Sequence, residues 1–177
     1  MNETAKADWV RSALECHESS LLRYAASITG DVERARDVVQ DTFVRLCAAE
    51  PAELDGKLAE WLFTVCRNRA LDVQRKEKRM MPLTEIDLET RESGEPSPAA
   101  AAEKRETATR ALQFLDALPS NQREVIRLKF QSDLSYQEIS RVTQLSVTNV
   151  GFLIHTGIKT LRQKFQTEMN NELRRTP

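Results

Sequence analysis

With 177 residues, the chain is long enough for one ordinary domain or two small ones. Only 5 Gly and 6 Pro stand among many Ala, Leu, Glu, Arg and Gln, a balance that favours helix and supplies too few turns for an all-β fold. The net charge of -1 is a sum over segregated charge, and 40% apolar with 30% charged residues suits small helical units with modest cores.

Those small units appear in chain order as apolar residues at helical spacing. Val10, Leu14, Leu21, Tyr24, Ala25 and Ile28 mark one face of a first helix, which Gly30 is placed to end. Asp31 caps a second helix, whose inner face is Ala35, Val39, Phe43 and Leu46 and which Pro51 closes. A third series, Leu58, Trp61, Leu62, Val65, Arg69 and Val73, is apolar up to Ala70 and then turns basic. Trp61 sits on this stripe and reads as a core residue. Three helices with short connections predict a compact bundle. From Arg67 to Arg79 there are six basic residues (Arg67, Arg69, Arg75, Lys76, Lys78, Arg79) and two acidic ones (Asp72, Glu77).

Beyond Met80 the pattern breaks. Pro82, Gly94, Pro96 and Pro98 occur among acids, and Leu83 to Glu106 holds seven acidic residues against three basic ones. This composition buries too little apolar surface to fix a fold and reads as a flexible linker, with the run Ala99 to Ala102 starting the next helix.

A second unit follows. Ala108, Ala111, Leu112 and Leu115 form a stripe ending near Leu118-Pro119, and Pro119 suits the first turn of a new helix carrying Val125, Ile126, Lys129 and Phe130. Ser135-Tyr136-Gln137-Glu138 is a capping box, opening a short helix with Ile139 and Val142 inside. A turn at about Thr143 to Leu145 leads to Ser146, which caps the last helix. At 100° per residue, Val147, Val150, Ile154, Ile158, Leu161 and Phe165 face one side of that helix. Thr148, Asn149, Phe152, His155, Thr156, Lys159 and Arg162 face the other. A capped short helix, a tight turn and a longer amphipathic helix form a helix-turn-helix, which places its second helix in the major groove. Asn149 suits a base edge, Thr148 and Phe152 suit thymine methyls, and Lys159 and Arg162 suit phosphates. An ordinary helical bundle with a polar face gives the same periodicity, and the basic run taken alone also fits a solvated helix end stabilised by its dipole.

The expected fold is therefore all-α, as two small helical domains joined by a flexible linker, with boundaries at 5–79, 80–103 and 104–168. Cys16, Cys47 and Cys66 are odd in number and far apart, so they predict no zinc site and no disulfide, only reduced and mostly buried thiols. The polar N-terminus carries no signal-peptide core, and no apolar run nears the roughly 20 residues that span a bilayer, which points to the cytoplasm without membrane insertion. No nucleotide loop, metal-spaced cluster or Ser/His/Asp set is present, so no enzyme, cofactor or metal is expected.

Two motifs then carry a family resemblance. Asp37-Val38-Val39-Gln40-Asp41-Thr42-Phe43 together with Trp61-Leu62-Phe63-Thr64-Val65-Cys66-Arg67-Asn68 resembles the second conserved region of extracytoplasmic-function (ECF) sigma factors. Leu118-Pro119 through Arg162 resembles their fourth region. The resemblance spans nearly the whole chain in the family's order. It implies a sigma factor that binds core RNA polymerase and directs promoter recognition, DNA opening and transcription initiation. It implies polymerase contacts at Asp37, Gln40 and Asp41, and −10 contacts at Arg67, Asn68, Asp72, Arg75, Lys76 and Arg79. For the −35 element it points to the helix-turn-helix residues Thr148, Asn149, Phe152, His155, Lys159 and Arg162. It also implies an anti-sigma partner, and a linker whose acids between Glu85 and Glu95 occupy a nucleic-acid channel until RNA displaces them. This sequence departs from the family where Asp133 or Leu134 replaces a frequent Gly. Its recognition helix has fewer cations than usual, and Gly151 and Gly157 weaken it by up to about 1 kcal/mol each. Two other readings stand beside this one: a stand-alone helix-turn-helix regulator of duplex DNA, and a helical protein-binding adaptor. The first has no need of the Asp37-to-Phe43 motif, and the second has no need of a polar recognition face.

Overall fold

A computed structural model describes residues 3–80 and 112–173, and every regular element among them is helical. The first unit comprises α1 (Glu3–Thr29), α2 (Val32–Ala48), a 3-10 turn (Pro51–Glu53) and α3 (Leu58–Met80). The second comprises helical residues 112–116 followed by α4 (Ser120–Phe130), α5 (Tyr136–Thr143) and α6 (Val147–Leu173). The acidic stretch with its Ala run, and Ala108 and Ala111, lie outside the described residues.

The ends of the helices follow local chemistry. Gly30 ends α1 at φ 71°, a conformation that its missing Cβ makes easy. Asp31 accepts a hydrogen bond from the Arg34 amide at 3.0 Å and starts α2. Pro119, with φ -51°, takes the cap position of α4.

Inside the first unit, Leu21, Tyr24, Ala25, Ala35, Val38, Leu46, Leu62, Phe63, Cys66 and Ala70 are almost wholly buried. The Tyr24 ring meets Phe63 edge-on, centroid to centroid at 5.5 Å. Here α3 departs from the expected stripe. Its buried line is Leu62, Phe63, Cys66 and Ala70, roughly a quarter turn from the line through Trp61 and Val65, which are half-buried. Residues 58 to 66 are apolar almost all round, so periodicity alone leaves the rotation open. Trp61 packs against the core from its flank.

Four apolar residues expected inside are more exposed: Leu14 (37%), Leu112, Phe130 and Val147. Periodicity shows which side of a helix is apolar, not how far along it neighbouring helices reach. Phe130 is the last residue of α4 and Val147 the first of α6. The thiols also differ from expectation, because Cys66 is buried whereas Cys16 and Cys47 are exposed. Burial pushes the Cys66 thiol up to about 12, against a smaller lowering by Thr42.

In the second unit, Val125, Leu128, Leu134, Ile139, Val142, Val150 and Ile154 form the core. Gly157 has a packing role. A Cβ there would stand 2.5 Å from Ile126 Cδ1, so the bare backbone lets α6 lie directly on α4. The helix propensity lost at this position is exchanged for a close crossing. Arg127, 8% exposed, donates to Asp116 Oδ1 at 2.9 Å and ties α4 to the end of the preceding helical segment.

The two units are in contact. α3 packs against α5, and buried residues of both belong to one continuous apolar cluster. No helix among the described residues is long and apolar enough to cross a membrane.

Candidate nucleic-acid interface

On α2, the face opposite the core carries Asp37, Gln40 and Val44, spaced to align on one side of the helix. All three are exposed. Val44, 63% exposed, escapes a search restricted to charged motifs. Its signal is an apolar residue placed diametrically off the buried stripe. Asp41 is only half exposed and accepts from Arg69 Nε at 2.7 Å, bracing α2 against α3.

The six cations of α3 do not form one cluster. Arg69 turns to Asp41, Arg67 turns toward α4, and Arg75 pairs with Asp72 one turn back at 2.6 Å. Asn68, Asp72, Arg75, Lys76 and Arg79 fall within about 100° of arc on the helix. All five are exposed, so together they make a polar, mainly cationic strip on one side of a rigid helix. Trp61, two turns before Asn68, begins the same side. This strip presents charge to a backbone phosphate and amide and carboxylate groups to bases.

Arg67 stands apart from the strip. Its Nε and Nη2 donate to Glu124 of α4 at 2.7 and 3.2 Å. Tyr24 donates its hydroxyl to the same carboxylate at 2.8 Å. Burial acts to lower the Arg67 pKa, but the hydrogen bond and charge of Glu124 outweigh it and the net shift is upward. Burial, and then the Glu124 charge, push the Tyr24 phenol well up, so it remains a donor.

The helix-turn-helix is built by hydrogen bonds from side chains to backbone. Ser135 Oγ accepts from the Glu138 amide at 3.3 Å, and the Glu138 carboxylate accepts from the Ser135 amide at 2.7 Å. These bonds to Ser135 hold the Glu138 carboxyl below its ordinary value. Gln144 takes φ 61° in the turn, and Ser146 Oγ accepts from the Asn149 amide at 3.2 Å to start α6. Ser140 donates to the Leu145 carbonyl at 2.5 Å across the turn. The turn thus sets the angle at which α6 is presented. Thr148, Asn149, Phe152, His155, Lys159 and Arg162 are all exposed on that helix, and Phe152 is 63% exposed.

One apolar surface was missed in the sequence. Leu112, Leu115, Phe130, Ile158, Leu161 and Phe165 line an open groove of about 660 Å³, with Arg23 of α1 on its rim. No single element carries it. It lies between the helical residues before Pro119, the end of α4 and the middle of α6.

Residues 13–80 match the family model "Sigma-70 region 2", and residues 109–161 match "Sigma-70, region 4". The chain is 30% identical to the ECF RNA polymerase sigma factor SigL of Mycobacterium tuberculosis over 168 residues, covering 92% of both proteins. The chain belongs to the ECF sigma factors of RNA polymerase. It is also 28% identical to the ECF sigma factor SigM of Bacillus subtilis over 159 residues, covering 89% of this chain and 96% of SigM. Among solved structures, CnrH in complex with the cytosolic domain of CnrY superposes with a TM-score of 0.62 at 25% identity. That superposition covers 94% of this chain and 90% of CnrH. The sigma factor RpoE from Bartonella quintana, in complex with the anti-sigma factor NepR, has the same fold, with a TM-score of 0.64 at 23% identity over 90% of this chain and 97% of RpoE. That membership covers both units of the chain, which favours the sigma-factor reading over a stand-alone regulator or a protein adaptor.

Proposed function

We propose that this ECF sigma factor divides its work among three exposed surfaces. Asp37 and Gln40, with Val44 beside them and Asp41 bracing the helix, contact core RNA polymerase. The α3 strip of Asn68, Asp72, Arg75, Lys76 and Arg79, with Arg67, engages the −10 element and holds bases exposed on opening. The α6 face of Thr148, Asn149, Phe152, His155, Lys159 and Arg162 reads the −35 element. Residues 5–79 and 104–168 act as the two promoter-reading domains, and 80–103 as their connection. The observation that carries this reading is the exposure of two polar helix faces, one on α3 and one on α6, each on the outer side of a helix whose opposite side is buried in a core.

The chemistry is binding rather than bond-making. Cations on the α3 strip release counterions from DNA, so affinity should fall with salt. The α6 face, poorer in cations, depends more on Asn149 and on apolar contact by Phe152. No group of side chains among the described residues is arranged to hold a metal ion. The protein works in the cytoplasm, where polymerase and DNA are. The open groove at Leu112, Phe130 and Phe165 suits an amphipathic partner helix, and the partner of the solved relatives points to an anti-sigma protein as one user of such surfaces.

The test is transcription from a cognate promoter with purified core polymerase, with and without the protein. Asn149→Ala and Phe152→Ala should each reduce discrimination among −35 sequences, by about 1–3 kcal/mol for a lost base contact, while core binding stays near wild type. Failure of the wild-type protein to bind core polymerase would reject the reading. Equal loss of discrimination and core binding would reject the assignment of the α6 face.

A further inference from the structure

The two units meet through a polar junction centred on Arg67 and Glu124. Glu124, on α4, is enclosed by three donor contacts: two from Arg67 and one from the Tyr24 hydroxyl. The side chains of Arg67 and Glu124 are each only 20% exposed, and Tyr24 is 2% exposed. A second pair closes the same junction, where Arg141 of α5 meets Glu60 of α3 at 2.6 Å. The Nε–Nη2 edge of a guanidinium matches a carboxylate and a phosphate equally well, so Glu124 and DNA compete for the same donors. The six α6 residues assigned to the −35 element are exposed in this same arrangement.

We infer that the arrangement is a closed, self-masked state, with Glu124 as a built-in phosphate mimic that latches Arg67 until the units separate. This rests on the proposed roles of α3 and α6. The two promoter elements lie some 25 base pairs apart, or roughly 85 Å at 3.4 Å per step. Each unit has a radius of gyration of only about 10–12 Å for its length. Units packed α3 on α5 cannot reach both elements, so promoter binding requires their separation and breaks both ion pairs. Arg67 is then released together with the freedom to span the promoter. Closure and promoter engagement are exclusive at a named atom pair as well as by shape.

The experiment uses the full chain and core polymerase. Glu124→Gln removes the charge and keeps the shape. Tyr24→Phe removes only the hydroxyl and leaves the ring on Phe63. Solution X-ray scattering should show a larger radius of gyration for Glu124→Gln than for wild type. With core polymerase saturating, the same variant should bind promoter DNA about 3–10-fold more tightly, and Tyr24→Phe about twofold. The charge-swapped pair Arg67→Glu with Glu124→Arg should return to the compact dimension while promoter opening stays impaired. Unchanged dimensions and unchanged affinity in both single variants would overturn the latch. So would weaker core binding or weaker transcription by Glu124→Gln, which would mark a joint kept in the working complex. Should Glu124→Gln not fold, Tyr24→Phe and Glu60→Gln carry the same test. Wild-type protein that fails to support transcription at all would instead remove the reading on which the latch rests.

Discussion

The two units hold their candidate DNA-facing surfaces in place by different means. In the first, the candidate face lies along a single helix of 23 residues, α3, whose geometry the backbone itself guarantees. Its supports are between helices: large buried rings such as Tyr24 and Phe63, and ion pairs such as Arg69 with Asp41 and Arg34 with Glu77. In the second, the face on α6 has meaning only at a set angle to α5, which has 8 residues and is too short to be stable alone. Its supports are therefore local. The Ser135–Glu138 box, the Ser146 cap and the Ser140 bond to the Leu145 carbonyl all fix the turn. A face on one long helix needs a core beneath it, whereas a face shared between helices needs a defined corner.

Three substitutions sharpen or break that contrast. The largest effect is expected for Phe63→Ala, which empties the centre of the first unit and should lower stability by about 3–5 kcal/mol in urea unfolding. A loss below about 1.5 kcal/mol would mean that the ion pairs, not the rings, hold that unit. Gly157→Leu forces a side chain where even a Cβ meets Ile126 at 2.5 Å, and overpacking of this kind lowers stability by about 1–3 kcal/mol. Thermal unfolding unchanged from wild type would show that α4 and α6 are not closely packed there. The smallest effect belongs to Ser135→Ala, about 1 kcal/mol for a lost cap.

That last difference carries a pH signature. Glu138 is held below its ordinary value of 4.5, first by the Ser135 side chain and then by the Ser135 backbone. A carboxyl with a depressed folded pKa contributes its stability above the unfolded value and loses it as pH falls through the folded one. The gap between wild type and Ser135→Ala should therefore be full near neutrality and narrow as pH drops below about 4.5. A gap independent of pH would separate the hydroxyl cap from the Glu138 return bond.

Local signals survived the passage from sequence to structure. Gly30, Asp31, the Ser135 capping box, the Ser146 cap and the apolar faces of α2 and α5 were legible because each depends on residues within one or two turns. The rotation of α3 was not, since Leu58 to Cys66 is apolar on almost every side and only the positions of α1 and α2 select Phe63 over Trp61. Departures from the family pattern also gained physical meaning. Of Asp133 and Leu134, the two positions where a Gly is frequent, Asp133 adopts φ 56°, a conformation that a Gly would hold at less cost. Gly157, a weak point by helix propensity, lies against the Ile126 side chain of α4, where a Cβ would stand 2.5 Å from Cδ1.

The sequence by itself determined the helical character of the described residues, the helix-turn-helix and the outward placement of Thr148, Asn149, Phe152, His155, Lys159 and Arg162 on α6, because periodicity, caps and turns act over short distances along the chain. It also held the two family motifs. Only the tertiary structure decided which of the six α3 cations stand together. Arg69 is drawn to a partner 28 residues away and Arg67 to one 57 residues away. Such pairings depend on how helices cross and units meet. No periodicity within one helix records that Glu124 of the second unit pairs with Arg67 of the first.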